Sequence, residues 1–183
     1  MMTIFLKGKA RSGKDTFAKL IKDEVEFGNT KYQNVAILAY ADWLKDVCRR
    51  NHYYENKLHD RDILIQIGDE MRAIEENVFA KPVADMIKIY QKMGYDLIVI
   101  TDLRYENEFK YVAENVITET FVLEITSPNE MHGVDRFAAL HPTENLQMFY
   151  DEKIELPHIN DKSIPIIRNM ATQFLNKLYS YNH

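Results

Sequence analysis

The chain has 183 residues, 46% of them hydrophobic, enough to build the core of one α/β domain. Its 23 lysines and arginines stand against 28 aspartates and glutamates, a net charge of −5, which argues against a nucleic-acid polymer as the main partner. The single Cys48 excludes an intrachain disulfide framework and a cysteine-rich zinc site, and no apolar run approaches the ~18 residues of a membrane span or a signal sequence, so the expected setting is a reducing cytoplasm.

The chain opens on Thr3-Ile4-Phe5-Leu6, apolar and partly β-branched, which reads as a buried parallel strand. Gly8-Lys9-Ala10-Arg11-Ser12-Gly13-Lys14-Asp15 follows and fits the G-x-x-x-x-G-K phosphate loop. Behind it, Phe17, Leu20, Ile21 and Val25 repeat at helical spacing. Strand, glycine loop and helix stand in the order that a phosphate-binding turn requires, with Gly8 and Gly13 letting backbone N–H groups converge on an anion at a helix N-terminus. Lys14 is placed to reach the phosphates of ATP, and Arg11 faces either those phosphates or solvent. The position after the lysine is Asp15 rather than Ser or Thr, followed by Thr16. A carboxylate there suits Mg2+, directly or through water, and repels a phosphate lacking its metal.

Further strands are expected at 34–38, 96–100, 120–125 and, more weakly, 153–156, giving a doubly wound sheet of five parallel strands. The stretch between the second and third strands, about 41–94, is too long for a simple crossover and reads as a helical insertion that would take the second substrate. The core would then be about 1–40 and 95–183. A helix is predicted over 60–78, with Ile63, Leu64, Ile67, Met71, Ile74 and Val78 on its inward stripe. Arg61, Gly68 and Arg72 lie along one flank of it, a groove suited to a phosphate or a base edge; alternatively Arg72 pairs with Glu75 or Glu76 on a solvated face.

Asp102 directly follows the third strand, where a carboxylate can hold magnesium or its water shell, and Arg104 can turn into the same crevice. The alternative is that Asp102 caps a helix starting near Arg104 and that Arg104 pairs with Glu108. The segment 127–142 contains Pro128, Gly133 and Pro142 and carries Arg136 between His132 and His141, which suits a lid that excludes water from phosphoryl transfer; equally, Arg136 pairs with Asp135 in a surface loop. The six histidines show no close metal-ligand spacing, so no structural metal is expected. Tyr53 and Tyr54 could stack on a base or simply belong to a loop or the core, and Cys48 reads as packing.

Taken in order, several segments resemble the phage deoxynucleoside monophosphate kinases: R-S-G-K-D-T over residues 11–16, Ala41 to Lys45, Leu64 to Gly68 with Arg72, Asp102-Leu103-Arg104 with Glu108, His141-Pro142-Thr143-Glu144, and Asn160-Asp161. Ser127 stands where an arginine is expected, and the insertion is short for that family. The resemblance implies a P-loop nucleoside-monophosphate-kinase fold. It also implies ATP- and Mg2+-dependent phosphorylation of deoxynucleoside 5′-monophosphates, often by a homodimer. ATP would lie on Gly8, Arg11, Ser12, Gly13, Lys14, Asp15, Thr16 and Asn160, with Mg2+ near Asp15, Thr16 and Asp102. The acceptor would meet Lys45, Arg61, Gln66, Gly68, Arg72, Arg104, His141 and Glu144, and Arg136 would close from the lid. A phosphomevalonate- or dephospho-CoA-kinase-like enzyme and a non-catalytic nucleotide-binding regulatory module are the competing readings.

Overall fold

A computed structural model describes residues 1–50, 57–128 and 148–181, the side chains of 57–62 and 181 excepted. In chain order the elements are β1 (Met2–Lys7), α1 (Lys14–Glu26), β2 (Val35–Leu38), α2 (Ala41–Arg50), α3 (Lys57–Ile74), α4 (Ala80–Lys92), β3 (Leu97–Ile100), α5 (Glu106–Asn115), β4 (Glu119–Thr126), β5 (Glu152–Glu155) and α6 (Ile164–Tyr181). The five strands pair in the order β2-β3-β1-β4-β5, and every pairing is parallel. The expected doubly wound sheet is therefore the observed one.

Side-chain alternation splits the core into two layers. Ile4, Leu6, Leu97, Val99, Leu123 and Ile125 face α1 and α6, while Phe5, Ile98, Ile100 and Val122 face α2, α4 and α5. β1 and β3 are buried along their whole length, as their unbroken apolar runs demand, and β5 at the sheet edge alternates half-buried and exposed residues. Lys7, buried at the end of β1, donates to the Met148 carbonyl and lies 3.8 Å from Glu124, and burial lowers the pKa of its ammonium.

The sheet agrees with the sequence reading in kind, and the helices differ from it in detail. Residues 41–92 hold α2, α3 and α4. α3 starts and stops earlier than its apolar stripe predicts, because the chain turns at Glu75, whose carboxylate accepts from the Asn77 N–H at 3.2 Å and from Lys81. Ile74 is consequently 87% exposed rather than packed inward. Cys48 is buried, in keeping with its packing role.

One buried polar network fastens α1 to α6. Arg168 donates to Glu24 at 2.8 Å and to Asp23 at 3.1 Å, and Thr172 and Asn29 donate to the second Glu24 oxygen at 2.8 and 3.0 Å. Burial pushes the Glu24 carboxyl up, but these donors outweigh it and hold the pKa below its ordinary value. Its stabilisation is accordingly present at neutral pH and lost as pH falls below the ordinary glutamate value of 4.5. Glu24→Ala removes the buried carboxylate but leaves the half-exposed Arg168 its bond to Asp23, so it is expected to cost about 1.5 kcal/mol in urea unfolding at neutral pH, with a smaller loss at acidic pH.

Candidate active site

The loop between β1 and α1 has the shape its glycines predict. Gly8 has φ 142° and Gly13, at the N-cap of α1, has φ 95°. A Cβ on Gly8 would collide with the Ile125 carbonyl oxygen of β4, and one on Gly13 would sit 2.6 Å from Ile159 Cδ1 and 2.9 Å from Leu156 Cδ1. Both positions thus require glycine twice over, for conformation and for space. Arg11 also adopts a left-handed conformation, with φ 64°, the sort of local strain that binding loops carry. Ser12 is fully buried beneath the loop. The Lys14 ammonium folds back over it, donating to the Gly8 and Lys9 carbonyls at 2.7 Å each and to Ser12 Oγ at 3.3 Å.

Parallel pairing of β1 with β3 sets Phe5 beside Ile100, so the residues just past both strands share one edge of the sheet. A crevice of about 390 Å³ opens there. Ala10, Arg11, Lys14 and Asp15 form its loop side, Thr101, Asp102, Arg104 and Tyr105 its floor, and Leu44, Lys45, Leu64, Ile65, Asp69 and Arg72 its helical side. A smaller recess next to it is lined by Arg11, Gly13, Lys14, Asp15, Thr16 and Ile159. Five cationic side chains and three aspartates line the larger crevice, a local excess of positive charge on an acidic chain. That bias attracts an anionic ligand.

Asp102 and Arg104 both reach this crevice, and Asp102 caps a different helix from the one its place in the sequence suggests. Asp102 accepts from the Tyr40 N–H at 2.7 Å and the Ala41 N–H at 2.9 Å, so it caps α2 and not the helix that follows it. Burial raises its pKa, against the pull of those two N–H groups and of Arg104. Glu108 receives the backbone N–H of Arg104 at 3.0 Å and of Tyr105 at 3.1 Å, closing a capping box at the start of α5.

Arg72 is not held by Glu75 or Glu76. Its Nη2 lies 3.4 Å from Glu108 Oε1 and its Nη1 lies 3.7 Å from Asp69 Oδ1. Its guanidinium is sandwiched between the rings of Phe79 at 4.5 Å and Tyr105 at 4.0 Å. Gly68 lies directly beneath, where a Cβ would come within 3.2 Å of Arg72 Nη1. Lys45 lines the crevice and pairs with Asp42 at 3.2 Å. Gln66, expected to meet the acceptor, instead points to the exposed face of α3 and donates to Glu70 at 3.0 Å. Asn160 Oδ1 accepts from Lys162 and Ser163 N–H, and its N–H donates to Ser163 Oγ, so its side chain organises the turn into α6 while the neighbouring Ile159 faces the recess. The Arg61 side chain, Tyr53 and Tyr54, and the segment carrying Arg136, His141 and Glu144 lie outside the described residues.

Asp69, Tyr105, Phe79 and Ile159 contribute to the site without having been singled out from sequence. Glu108 was legible as a partner for Arg104 and as part of the family resemblance, but its carboxylate joins two elements that are distant in the chain.

The architecture is a five-stranded parallel sheet flanked by helices, with the glycine loop at the end of the central strand, and it is similar in fold to a solved kinase. No family model and no curated protein matches the sequence. Among solved structures, an APS kinase of Mycobacterium tuberculosis is 12% identical, with 95% of this chain and 96% of that one covered and a TM-score of 0.50. A sugar kinase from Janibacter sp. HTCC2649 is 14% identical over 95% and 94% of the two chains, with a TM-score of 0.49. A shikimate kinase from Aquifex aeolicus vf5 is 12% identical over 94% and 98%, with a TM-score of 0.45. At 12% identity the likeness to the APS kinase shows the fold alone.

Two consequences are measurable. Gly8→Ala drives a Cβ into the β4 backbone and is expected to cost at least about 2 kcal/mol, visible as a lowered melting temperature. Burial raises the Glu108 pKa to about 7 from an ordinary 4.5, against the Arg104 N–H, Arg72 and the Tyr105 N–H and with help from Asp102. Between those values the folded chain holds a proton that the unfolded chain has lost, so this carboxyl drains stability as pH rises. The melting temperature of the wild type relative to Glu108→Gln should therefore fall between about pH 5 and pH 8, levelling off above the folded pKa.

Proposed function

We propose that this chain is a kinase that transfers the γ-phosphoryl group of ATP to a deoxynucleoside 5′-monophosphate. The observation that carries the reading is the single crevice that runs from Lys14 and Asp15 of the phosphate loop to Arg104, Lys45 and Arg72. One end suits a polyphosphate at a helix N-terminus. The other offers cations for an acceptor phosphate and the apolar side chains Leu44, Leu64 and Ile65 for a base, a combination that a small polar acceptor would not need.

The chemistry asks mainly for positioning and charge neutralisation, because an acceptor phosphate oxygen is already ionised and needs no base to activate it. The cradle fits a magnesium–ATP complex: Gly8 and Gly13 leave the space that Cβ atoms would fill, and Asp15 and Thr16 offer hard oxygen atoms beside Lys14. Asp15 and Thr16 would hold the metal, and Asp102, whose oxygens each accept a backbone N–H, would act through its water shell. Bound there, the metal would supply charge neutralisation at the transferring phosphate. Lys14 binds the β- and γ-phosphates, and Arg104 and Arg72 orient the acceptor. Arg136 closes the site from the lid, and residues 41–94 form the acceptor-binding part of a single domain.

An ADP-release assay with ATP and Mg2+ tests this, offering dTMP, dGMP, dCMP, dAMP, 5-hydroxymethyl-dCMP and the ribonucleotides separately. Turnover with one or a few deoxynucleoside monophosphates is expected, and Lys14→Ala should reduce it by at least about a hundredfold. ADP release indifferent to every acceptor, or none at all, would sink the proposal in favour of another acceptor or a regulatory nucleotide-binding module.

A further inference from the structure

The acceptor half of the crevice is assembled from two pieces of chain with no covalent reason to stay in register. Arg72 comes from α3, and Asp102 and Arg104 come from the turn after β3. One side chain, Glu108, spans them. Its Oε2 accepts the backbone N–H groups of Arg104 and Tyr105, while its Oε1 faces Arg72 Nη2 at 3.4 Å. It is only 2% exposed and does not line the crevice.

We propose that Glu108 is a positioning residue for the acceptor, aligning Arg72 with the Asp102–Arg104 turn by a carboxylate that never touches the ligand. The inference rests on the kinase reading above for its functional consequence and on the geometry alone for the tie itself. Arg72 has little else to fix its direction. The Phe79 and Tyr105 rings confine the guanidinium to a plane, its Nε has no hydrogen-bond partner, and Asp69 is the longer of its two ion pairs, at 3.7 Å. Within that plane the bond to Glu108 selects the orientation.

The charge state of Glu108 sets the strength of the tie. Among the described residues, the groups facing it are Arg72 and, behind it, Asp69 from α3; Asp102, Arg104 and Tyr105 from the turn; and Tyr40, whose hydroxyl donates to the Glu108 carbonyl at 3.1 Å. With the carboxyl poised at about 7, its proton leaves as pH rises through neutrality, and the anion then holds Arg72. The sign is fixed: alignment is strong above that value and weak below it.

Glu108→Gln separates the two halves of the role, because the amide oxygen can still accept the two backbone N–H groups while the amide nitrogen cannot accept from Arg72. With the best deoxynucleoside monophosphate as acceptor, KM for that acceptor at about pH 8 should rise roughly tenfold, with kcat and KM for ATP within about twofold. The ratio of the variant's acceptor KM to that of the wild type should shrink toward one at about pH 6, and using a ratio cancels the titration of the acceptor's own phosphate. An unchanged acceptor KM, equal losses for both substrates, or a ratio independent of pH would overturn the proposal. The only tryptophan, Trp43, packs against Phe79 at 6.4 Å and reports on the same cluster without any acceptor. Its fluorescence should change near pH 7 in the wild type but not in Glu108→Gln. If no acceptor turns over, the kinase reading fails and this fluorescence comparison alone decides the tie; a transition that survives in Glu108→Gln, or is missing from the wild type, overturns it. Should Glu108→Gln fail to fold, Arg72→Gln, which keeps the capping carboxylate, must likewise lose the transition, and its retention would overturn the proposal.

Discussion

The close approach of Gly8 to the Ile125 carbonyl is the constraint on which the rest of this structure depends. It presses the turn after β1 against the neighbouring strand β4, with no room for a side chain between them. The chain must then leave the sheet through left-handed conformations at Arg11 and Gly13 before α1 begins. That path gathers the loop carbonyls under Lys14 and leaves the N-terminus of α1 open toward the crevice. The network of Glu24 with Arg168, Thr172 and Asn29 then holds the far part of α1 to α6, so the loop is braced at both of its ends.

Charge is distributed to match. An acidic chain of net charge −5 collects Arg11, Lys14, Lys45, Arg72 and Arg104 around one opening. The carboxylates near them are not equivalent. Asp102 serves the N-terminus of α2, Glu108 serves the turn into α5 and Arg72, and Asp15 is exposed beside the phosphate loop. Asp102 and Glu108 are thus structural acceptors whose burial raises their pKa, whereas Asp15 and Asp69 are exposed at the crevice and Asp15 also lines the recess beside Lys14. This division lets a site built to attract anions contain several negative charges without repelling its ligand.

Much of this was legible along the chain. Thr3 to Asp15 carries its own geometry, because glycine requirements and the strand and helix periods are local properties, and the parallel sheet followed from apolar runs separated by helical spacing. What could not be read were partners. Arg72 has Glu75 and Glu76 within helical reach in sequence, yet the end of α3 at Ile74 takes both away and Glu108, thirty-six positions on, takes their place. Gln66 was placed with the acceptor only by the family resemblance, and it lies on the exposed face of α3, donating to Glu70. The alternative role for Asp102, as a cap for the helix after it, is replaced by capping of the helix of a different crossover.

By itself the sequence determined the class of fold and the shape of the phosphate loop, since each rests on contacts between residues close in the chain or on a repeating pattern. The tertiary structure alone decided which carboxylate faces which cation. That choice depends on the register of β1 against β3, on where α3 stops, and on the ring pair of Phe79 and Tyr105 that confines Arg72. Ionic side chains obey distance and burial rather than sequence spacing, so the wiring of the site became visible only once the helices had been packed against the sheet.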